Sequence, residues 1–232
     1  MTNGKQLQMT MRDMLFVTWA VEPERARKLI GERLQLDTLT DSTGRECAFA
    51  SAVCFNVAEV RSSVLPIGSL SFGQVNYRVY VKAGDVPAVC FLDMKVNSRM
   101  VTALTSFLGV PIHYEDFEIN AAADEMGSVR YRIDSEGLCA EALTGADESA
   151  SSMNPSPGFI TDRLIGYVFA RGEMYKIEVE QPGLKSAVAG VVSAKAPRFE
   201  QLGLLDSEES MRPRSALYVR EALFGANMPT RV

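Results

Sequence analysis

The chain has 232 residues, of which 24 are Lys or Arg and 29 are Asp or Glu, so its net charge is −5. Hydrophobic residues make up 47% of the sequence and charged residues 23%, which excludes a disordered or fibrous protein. The acidic balance argues against nucleic-acid binding. A single histidine excludes a zinc site built from several histidines, and we expect no metal.

The N-terminal quarter is predicted to contain two strands and a short helix. Residues 15–21 and 47–60 are rich in β-forming residues and predict strands. Pro23 begins a helix that Gly31 ends. The apolar run at residues 14–21 is too short for a membrane span or a secretory signal, so we expect neither, and a cytoplasmic location.

The clearest alternation of polar and apolar residues lies at positions 72–82. It predicts a strand with one apolar face and one polar face, the polar face carrying Gln74, Asn76, Arg78 and Tyr80. After a turn, residues 88–95 predict the next strand. Residues 97–107 then predict a helix that ends at Gly109.

The remaining elements complete an α+β pattern. The predicted strands are residues 115–119, 128–133, 138–143, 173–180 and 187–195, and the predicted helices are residues 159–167 and 210–224. A polar, turn-rich insert occupies residues 144–158. We therefore predict a single α+β domain over residues 1–232, with a helical C-terminal extension at 205–232.

The four cysteines, Cys47, Cys54, Cys90 and Cys139, show no C-x-x-C spacing. Each lies among apolar residues. We interpret them as buried, reduced thiols rather than as metal ligands or redox groups.

Six segments occur in an order that is typical of one known family. They are Leu15-Phe16-Val17-Thr18-Trp19, Leu34-Gln35-Leu36-Asp37, the strand at 72–81, Phe91-Leu92-Asp93, Phe107-Leu108-Gly109-Val110-Pro111 and Ile160-Thr161-Asp162-Arg163. In this order the chain resembles the acetoacetate decarboxylase-like superfamily, and more closely its branch of uncharacterised bacterial proteins. The resemblance implies an acetoacetate decarboxylase-like core at about residues 12–200. The resemblance implies a closed or nearly closed antiparallel β-structure around a central cavity, with a few outer helices, often in a homo-oligomer.

The resemblance also implies a lysine after a Gly-aromatic-Pro turn, which forms a Schiff base with a β-keto acid beside a second lysine that lowers its pKa. In this sequence the turn is Gly109-Val110-Pro111, and Ile112 and His113 occupy the places of the lysine pair. Isoleucine has no amine. The sequence therefore predicts that the chain is not a Schiff-base decarboxylase.

The ligand-binding residues implied by the resemblance are Arg12, which matches a basic residue near the substrate carboxylate, and Gln74, which stands where the family has an acid. Two interpretations of the polar strand face remain open. It is either a solvated outer face, or the wall of the cavity, in which case Gln74, Asn76, Arg78 and Tyr80 bind ligand and the Arg78 guanidinium holds a carboxylate or phosphate.

The candidates for acid–base chemistry are His113, Glu115 and Tyr80. His113 is either a surface or capping residue or a general acid–base, with Glu115 or Asp116 as its partner. Lys95 is interpreted as an ion-pair partner of Asp93. Thr161 or Asp162 is interpreted as the N-cap of the helix at 159–167, and Arg163 is a candidate to close over the cavity.

Two classes of function follow. The first is an enzyme that acts on a small carboxylated, keto-acid-like metabolite without a cofactor, for example in hydration, isomerisation or hydrolysis. The second is a non-catalytic protein that binds such a ligand. In either class a buried Arg78 requires an anion, either from the ligand or from Asp93 or Glu115. The apolar pattern of the predicted C-terminal helix, which includes Leu217, Val219, Leu223 and Phe224, further suggests a homo-oligomer interface.

Overall fold

Long β-strands dominate the computed structural model, which describes residues 7–41, 44–63, 70–107, 109–145 and 153–232. The strands are β1 (Leu7–Val21), β2 (Gln35–Leu36), β3 (Leu39–Thr40), β4 (Glu46–Ser62), β5 (Phe72–Ala83), β6 (Val86–Val96), β7 (His113–Tyr114), β8 (Glu118–Ala123), β9 (Val129–Asp134), β10 (Cys139–Thr144), β11 (Ile165–Ala170), β12 (Glu173–Glu180), β13 (Ala187–Lys195), β14 (Ser215–Ala226) and β15 (Thr230–Arg231). The α-helices are α1 (Pro23–Arg27), α2 (Arg99–Phe107), α3 (Pro157–Thr161) and α4 (Pro197–Gln201), and a 3-10 helix spans Glu209–Met211.

Seven of these strands form a hydrogen-bonded ring in the order β12-β11-β6-β5-β4-β1-β14, and β12 pairs with β14 to complete it. Neighbouring strands in the ring are antiparallel, except that β6 and β11 are parallel. The expectation of a closed or nearly closed β-structure in a single α+β domain is therefore confirmed. The β12–β14 closure is the shortest pairing in the ring, with only Val179 opposite Ala226 and Glu180 opposite Gly225.

The two faces of the ring have different surroundings because successive residues of a strand point to opposite sides. On β5, Val75, Tyr77 and Val79 belong to the larger apolar core. That core lies on the outer face of the ring and includes buried residues of α1, α4, β9 and β10. Its centre is aromatic, since the rings of Trp19 and Tyr77 both pack edge-on against Phe199, at centroid distances of 5.5 and 5.6 Å.

The central elements agree with the alternation in the sequence. The strand predicted at 72–82 is β5, and the helix predicted at 97–107 is α2. Gly109 follows α2 with a φ of +76°, in the left-handed region that suits glycine. The polar insert predicted at 144–158 lies in part outside the described residues, since 146–152 are not among them.

Two predicted helices are wrong. Residues 215–226 form β14 instead of a C-terminal helix, because they lie between β1 and β13 in the sheet. The predicted helix at 159–167 is divided into α3, which ends at Thr161, and β11, which begins at Ile165. The predicted homo-oligomer stays a prediction, but its argument from a C-terminal amphipathic helix no longer applies.

None of the helices within the described ranges has the length and apolar character that a membrane span requires.

Candidate functional site

The ring encloses a cavity of about 270 Å³. Residues of all seven ring strands line it, together with residues of α2, of the segment around α3 and of the C-terminal segment 227–229. Most of these side chains are apolar. The polar exceptions include Gln74, Asn76, Arg78, Thr161, Arg163 and Gln181.

Three residues of the polar face predicted on β5 lie in this cavity wall. Gln74, Asn76 and Arg78 line the cavity at alternate positions, which is the inner-face arrangement rather than the solvated outer face. The Gln74 Nε2 donates a hydrogen bond of 2.7 Å to the Asn76 Oδ1. At the rise of a β-strand the three residues follow one another at intervals of about 7 Å, so they form a polar strip along one wall.

Arg78 is the cation of this strip, and carbonyl and aromatic groups surround it. Its Nη2 donates to the Ile160 carbonyl oxygen at 2.8 Å and lies 3.4 Å from the Tyr80 hydroxyl. The guanidinium carbon lies 5.4 Å from the centroid of the Phe16 ring. The Arg78 Nε is buried without a hydrogen-bond partner. No described carboxylate forms an ion pair with Arg78, so its charge is left without an anion.

Tyr80, the fourth predicted ligand residue, is fully buried behind Arg78 and is not one of the described residues that line the cavity. Its hydroxyl lies 2.6 Å from the Ser51 hydroxyl, which in turn lies 2.7 Å from that of Thr18. Tyr80 therefore contacts Arg78 through a hydroxyl group that belongs to a buried chain of three hydroxyls.

Arg163 is the second cation of the cavity wall, and its charge is compensated. Its Nη1 lies 2.6 Å from the Asp37 Oδ2, and its Nε donates to the Phe159 carbonyl oxygen at 2.7 Å. Lys82 contacts the same carboxylate at 3.0 Å. The expected N-cap role of Thr161 or Asp162 is wrong, because Ser156 caps α3 and accepts from the backbone nitrogen of Phe159.

The predicted acid–base residues lie elsewhere. His113 is exposed, with its Nδ1 3.2 Å from the Asp93 Oδ1, and neither His113 nor Glu115 is among the described residues that line the cavity. Glu115 is buried and accepts from the Gly137 backbone nitrogen at 3.3 Å.

Asp93 is the buried centre of a separate charge cluster. The ion pair predicted between Lys95 and Asp93 is present, with the Lys95 Nζ 3.3 Å from the Asp93 Oδ2. The Arg198 Nε lies 2.8 Å from the same oxygen, although the two groups are not aligned as a hydrogen bond. Because Asp93 and Glu115 both have partners of their own, neither compensates Arg78.

Arg12 is exposed, pairs with Glu221 at 2.6 Å and does not line the cavity. The reason is an irregularity in β1, where Asp13 has a φ of +50° and the register with β4 shifts. Met11 and Met14 consequently face the cavity on either side of it. Arg12 and Arg78 are therefore not brought together.

The cysteines only partly match their prediction. All four are free, but Cys54 and Cys90 are buried whereas Cys47 and Cys139 are half-buried. Burial raises the pKa of the Cys90 thiol to about 12 and also raises that of Cys54. Within the described ranges no group of three or more His, Cys, Asp or Glu side chains is arranged to hold a metal ion.

Gln181 and Asn227 also line the cavity and were not among the predicted ligand-binding residues. The Gln181 Nε2 donates to the Thr161 carbonyl oxygen at 2.8 Å. The alternation Ile177, Val179, Gln181 is a signal that could have identified the β12 wall. Asn227 follows β14 and could not be found, because that segment was predicted to be helical.

The Gly109-Val110-Pro111 turn adjoins the cavity. Val110 and Ile112 line the cavity, and Ile112 is the residue that the resemblance aligns with the family's lysine. None of the described residues that line the cavity is a lysine.

Several solved structures have the same fold. The chain superposes with a TM-score of 0.65 and 8% identity on acetoacetate decarboxylase from Legionella pneumophila, covering 98% of this chain and 87% of that one. It superposes with a TM-score of 0.61 and 12% identity on an acetoacetate decarboxylase-like enzyme from Sphingomonas wittichii RW1, covering 100% and 94%. A third match, the enduracididine biosynthesis enzyme MppR complexed with pyruvate, has a TM-score of 0.59 and 14% identity, covering 97% and 89%.

At these identities the structural matches show the fold alone. A comparison with curated proteins finds no match. Residues 8–221, which are almost the whole chain, match the model of one protein family. The chain therefore belongs to the DUF2071 family, described as an uncharacterized conserved protein family, and has the acetoacetate decarboxylase-like fold.

Proposed function

We propose that this chain binds a small carboxylated, keto-acid-like metabolite in the ring cavity, with Arg78 holding the carboxylate, and that it does so without a Schiff base. The observation that carries the proposal is the uncompensated cation in the cavity wall. The Arg78 side chain is half-buried, and a charge that is withdrawn from water without a partner is costly. Because Asp93 and Glu115 bond elsewhere, a ligand anion is the remaining means of compensating Arg78.

The residues of the cavity wall support the claim that no Schiff base forms. An imine requires a neutral amine that reaches the ligand. Lys82 and Lys95 are engaged by Asp37 and Asp93. Ile112 stands where the family's lysine is expected, and its side chain offers the ligand only apolar contact. The pyruvate named with MppR is itself a keto acid, which agrees with the class of ligand proposed here.

A non-catalytic binding role is the second candidate, and one observation favours it. The only titratable side chains among the described residues of the cavity wall are Arg78 and Arg163, and an arginine does not deprotonate in proteins. General acid–base catalysis needs a group within hydrogen-bond reach of the reacting atoms. His113 and Glu115, the residues considered for that role, lie outside the cavity wall.

Thermal unfolding with and without carboxylates tests the proposal. At a ligand concentration about 100 times Kd, binding stabilises the folded chain by about 2.7 kcal/mol, which corresponds to about 5–10 °C in Tm for a protein of this size. We expect pyruvate, acetoacetate or a short dicarboxylate to raise the Tm of the wild type. Arg78→Met should abolish the response, whereas Arg12→Met, which removes an exposed arginine outside the cavity, should retain it.

Equal responses of the wild type and Arg78→Met would contradict the carboxylate site. The absence of a Schiff base is tested separately. After incubation with acetoacetate and borohydride, the intact protein should show no mass adduct. A stable adduct mapped to any lysine would overturn that half of the proposal while leaving the role of Arg78 to be judged from the Tm series.

A further inference from the structure

The cavity has a polar wall and an apolar wall that face each other across the ring. In the order β12-β11-β6-β5-β4-β1-β14, strand β5 is separated from the β12–β14 closure by two strands on either side. The polar strip of β5 therefore lies opposite that closure. The residues that β12 and β14 contribute to the cavity wall are apolar, namely Ile177, Val179, Phe224 and Ala226. The polar Gln181 and Asn227 line the cavity just beyond the ends of these two strands.

The space between the walls is larger than a short keto acid requires. An engineered apolar cavity of about 150 Å³ holds benzene, which has six non-hydrogen atoms. By the same ratio, the 270 Å³ of this cavity suits about 10–12 non-hydrogen atoms. Acetoacetate has only seven. A ligand of that size bound at Arg78 would leave the opposite wall without contact.

The side wall is also apolar and adaptable. On β1, the strand between β4 and β14, Met9, Met11 and Met14 all line the cavity. Methionine is unbranched and polarizable, so it packs against ligands of irregular shape. Phe55 and Phe72 extend this apolar surface on β4 and β5.

From these observations we infer that the ligand is an amphipathic monocarboxylate whose apolar tail has about seven to nine carbons, with its carboxylate at Arg78 and its tail directed to the β12–β14 wall. This inference rests on the proposed carboxylate site and specifies the rest of the ligand. It assigns a separate task to each wall: β5 binds the charge, and β12 and β14 bind the tail.

A series of straight-chain carboxylates and their matched alcohols, measured by isothermal titration calorimetry, tests the inference on the wild type alone. Burying one methylene group is expected to lower Kd about fourfold. We expect this gain at each step from butanoate to octanoate, and a loss of the gain by dodecanoate, where the tail exceeds the cavity. Each carboxylate should bind more tightly than the alcohol of the same length, and Arg78→Met should remove that difference.

A variant of the far wall tests the direction of the tail. Val179→Phe should shift the best-binding chain to a shorter length while butanoate binding stays within about threefold of the wild type. The matched control is Val192→Phe, because Val192 is exposed on β13 and does not line the cavity. The control should leave the whole series unchanged.

The outcomes separate the two proposals. A carboxylate preference that depends on Arg78 but shows no gain from butanoate to octanoate would overturn the long-tail inference and leave the carboxylate site intact. A gain with chain length and no carboxylate preference would overturn the carboxylate site, and with it the ligand class inferred here. Binding of no carboxylate at any length would overturn both.

Discussion

At the level of single residues, two buried cysteines, Cys54 and Cys90, make the free energy of unfolding depend on pH. Burial raises the pKa of both thiols, that of Cys90 to about 12. An unfolded thiol titrates near pH 8.5. Between these two values the unfolded chain has lost a proton that the folded chain keeps, so the free energy of unfolding falls as pH rises. Below about pH 8.5 the two states bind the same protons and this dependence disappears.

We therefore expect the free energy of unfolding to be flat around pH 7–8 and to fall between pH 9 and 10, by up to about 1.4 kcal/mol per pH unit for each buried thiol. Urea unfolding at a series of pH values measures it. Cys90→Ala should make the decline shallower, whereas Cys47→Ala, at a half-buried position, should not. An unfolding free energy that stays constant from pH 8 to 10 would contradict this prediction.

At the level of strands and helices, the close packing of β6 against β11 determines the shape of one side of the cavity. A Cβ atom at Gly166 of β11 would overlap the ring of Phe91 on β6, and both residues line the cavity. The two strands are parallel neighbours, with Val168 opposite Phe91. The close approach of the Gly166 backbone to the aromatic ring of Phe91 therefore fixes one side of the cavity.

Gly166→Ala should force the Phe91 ring to move. Overpacking of this kind costs typically about 1–3 kcal/mol, and we expect a loss of that size in urea unfolding together with weaker carboxylate binding. Gly183→Ala is the matched control, because a Cβ there meets no atom within 4 Å. Equal stability of the two variants would show that the Phe91 ring moves without cost.

The strands also show how much of the fold and of the cavity wall can be predicted from the sequence. The alternation on β5 identified Gln74, Asn76 and Arg78 as one face, because a period of two residues is specific to strands. The C-terminal helix was predicted from an apolar pattern that includes Leu217 and Leu223, but residues 216–219 are buried consecutively in β14, a strand covered on both faces. The expected place of Arg12 came from the resemblance alone, and the irregularity at Asp13, which composition does not signal, turns its side chain away from the cavity.

At the level of the whole molecule, the ring of strands is closed by one short pairing, between β12 and β14. The β12–β14 pairing joins two residue pairs, whereas β1 and β4 pair along most of their length. Regions held by few backbone hydrogen bonds open more often than the rest of a fold.

Hydrogen–deuterium exchange should therefore be faster in peptides that contain residues 179–180 and 225–226 than in the central part of β1 or β4. Because Val179 and Ala226 also line the cavity, a bound carboxylate should slow exchange at this closure more than elsewhere. Equal protection factors at the closure and in β1, with or without ligand, would contradict the prediction.

The two-sided nature of β5 has a consequence for how this protein can diverge. Val75, Tyr77 and Val79 maintain the core, and the residues between them form the cavity wall. On the proposed function, we expect substitutions at positions 74, 76 and 78 to alter ligand preference with little effect on folding, and those at 75, 77 and 79 to do the opposite. Point mutations at every second position of this one strand would then exchange one ligand for another while the scaffold is kept.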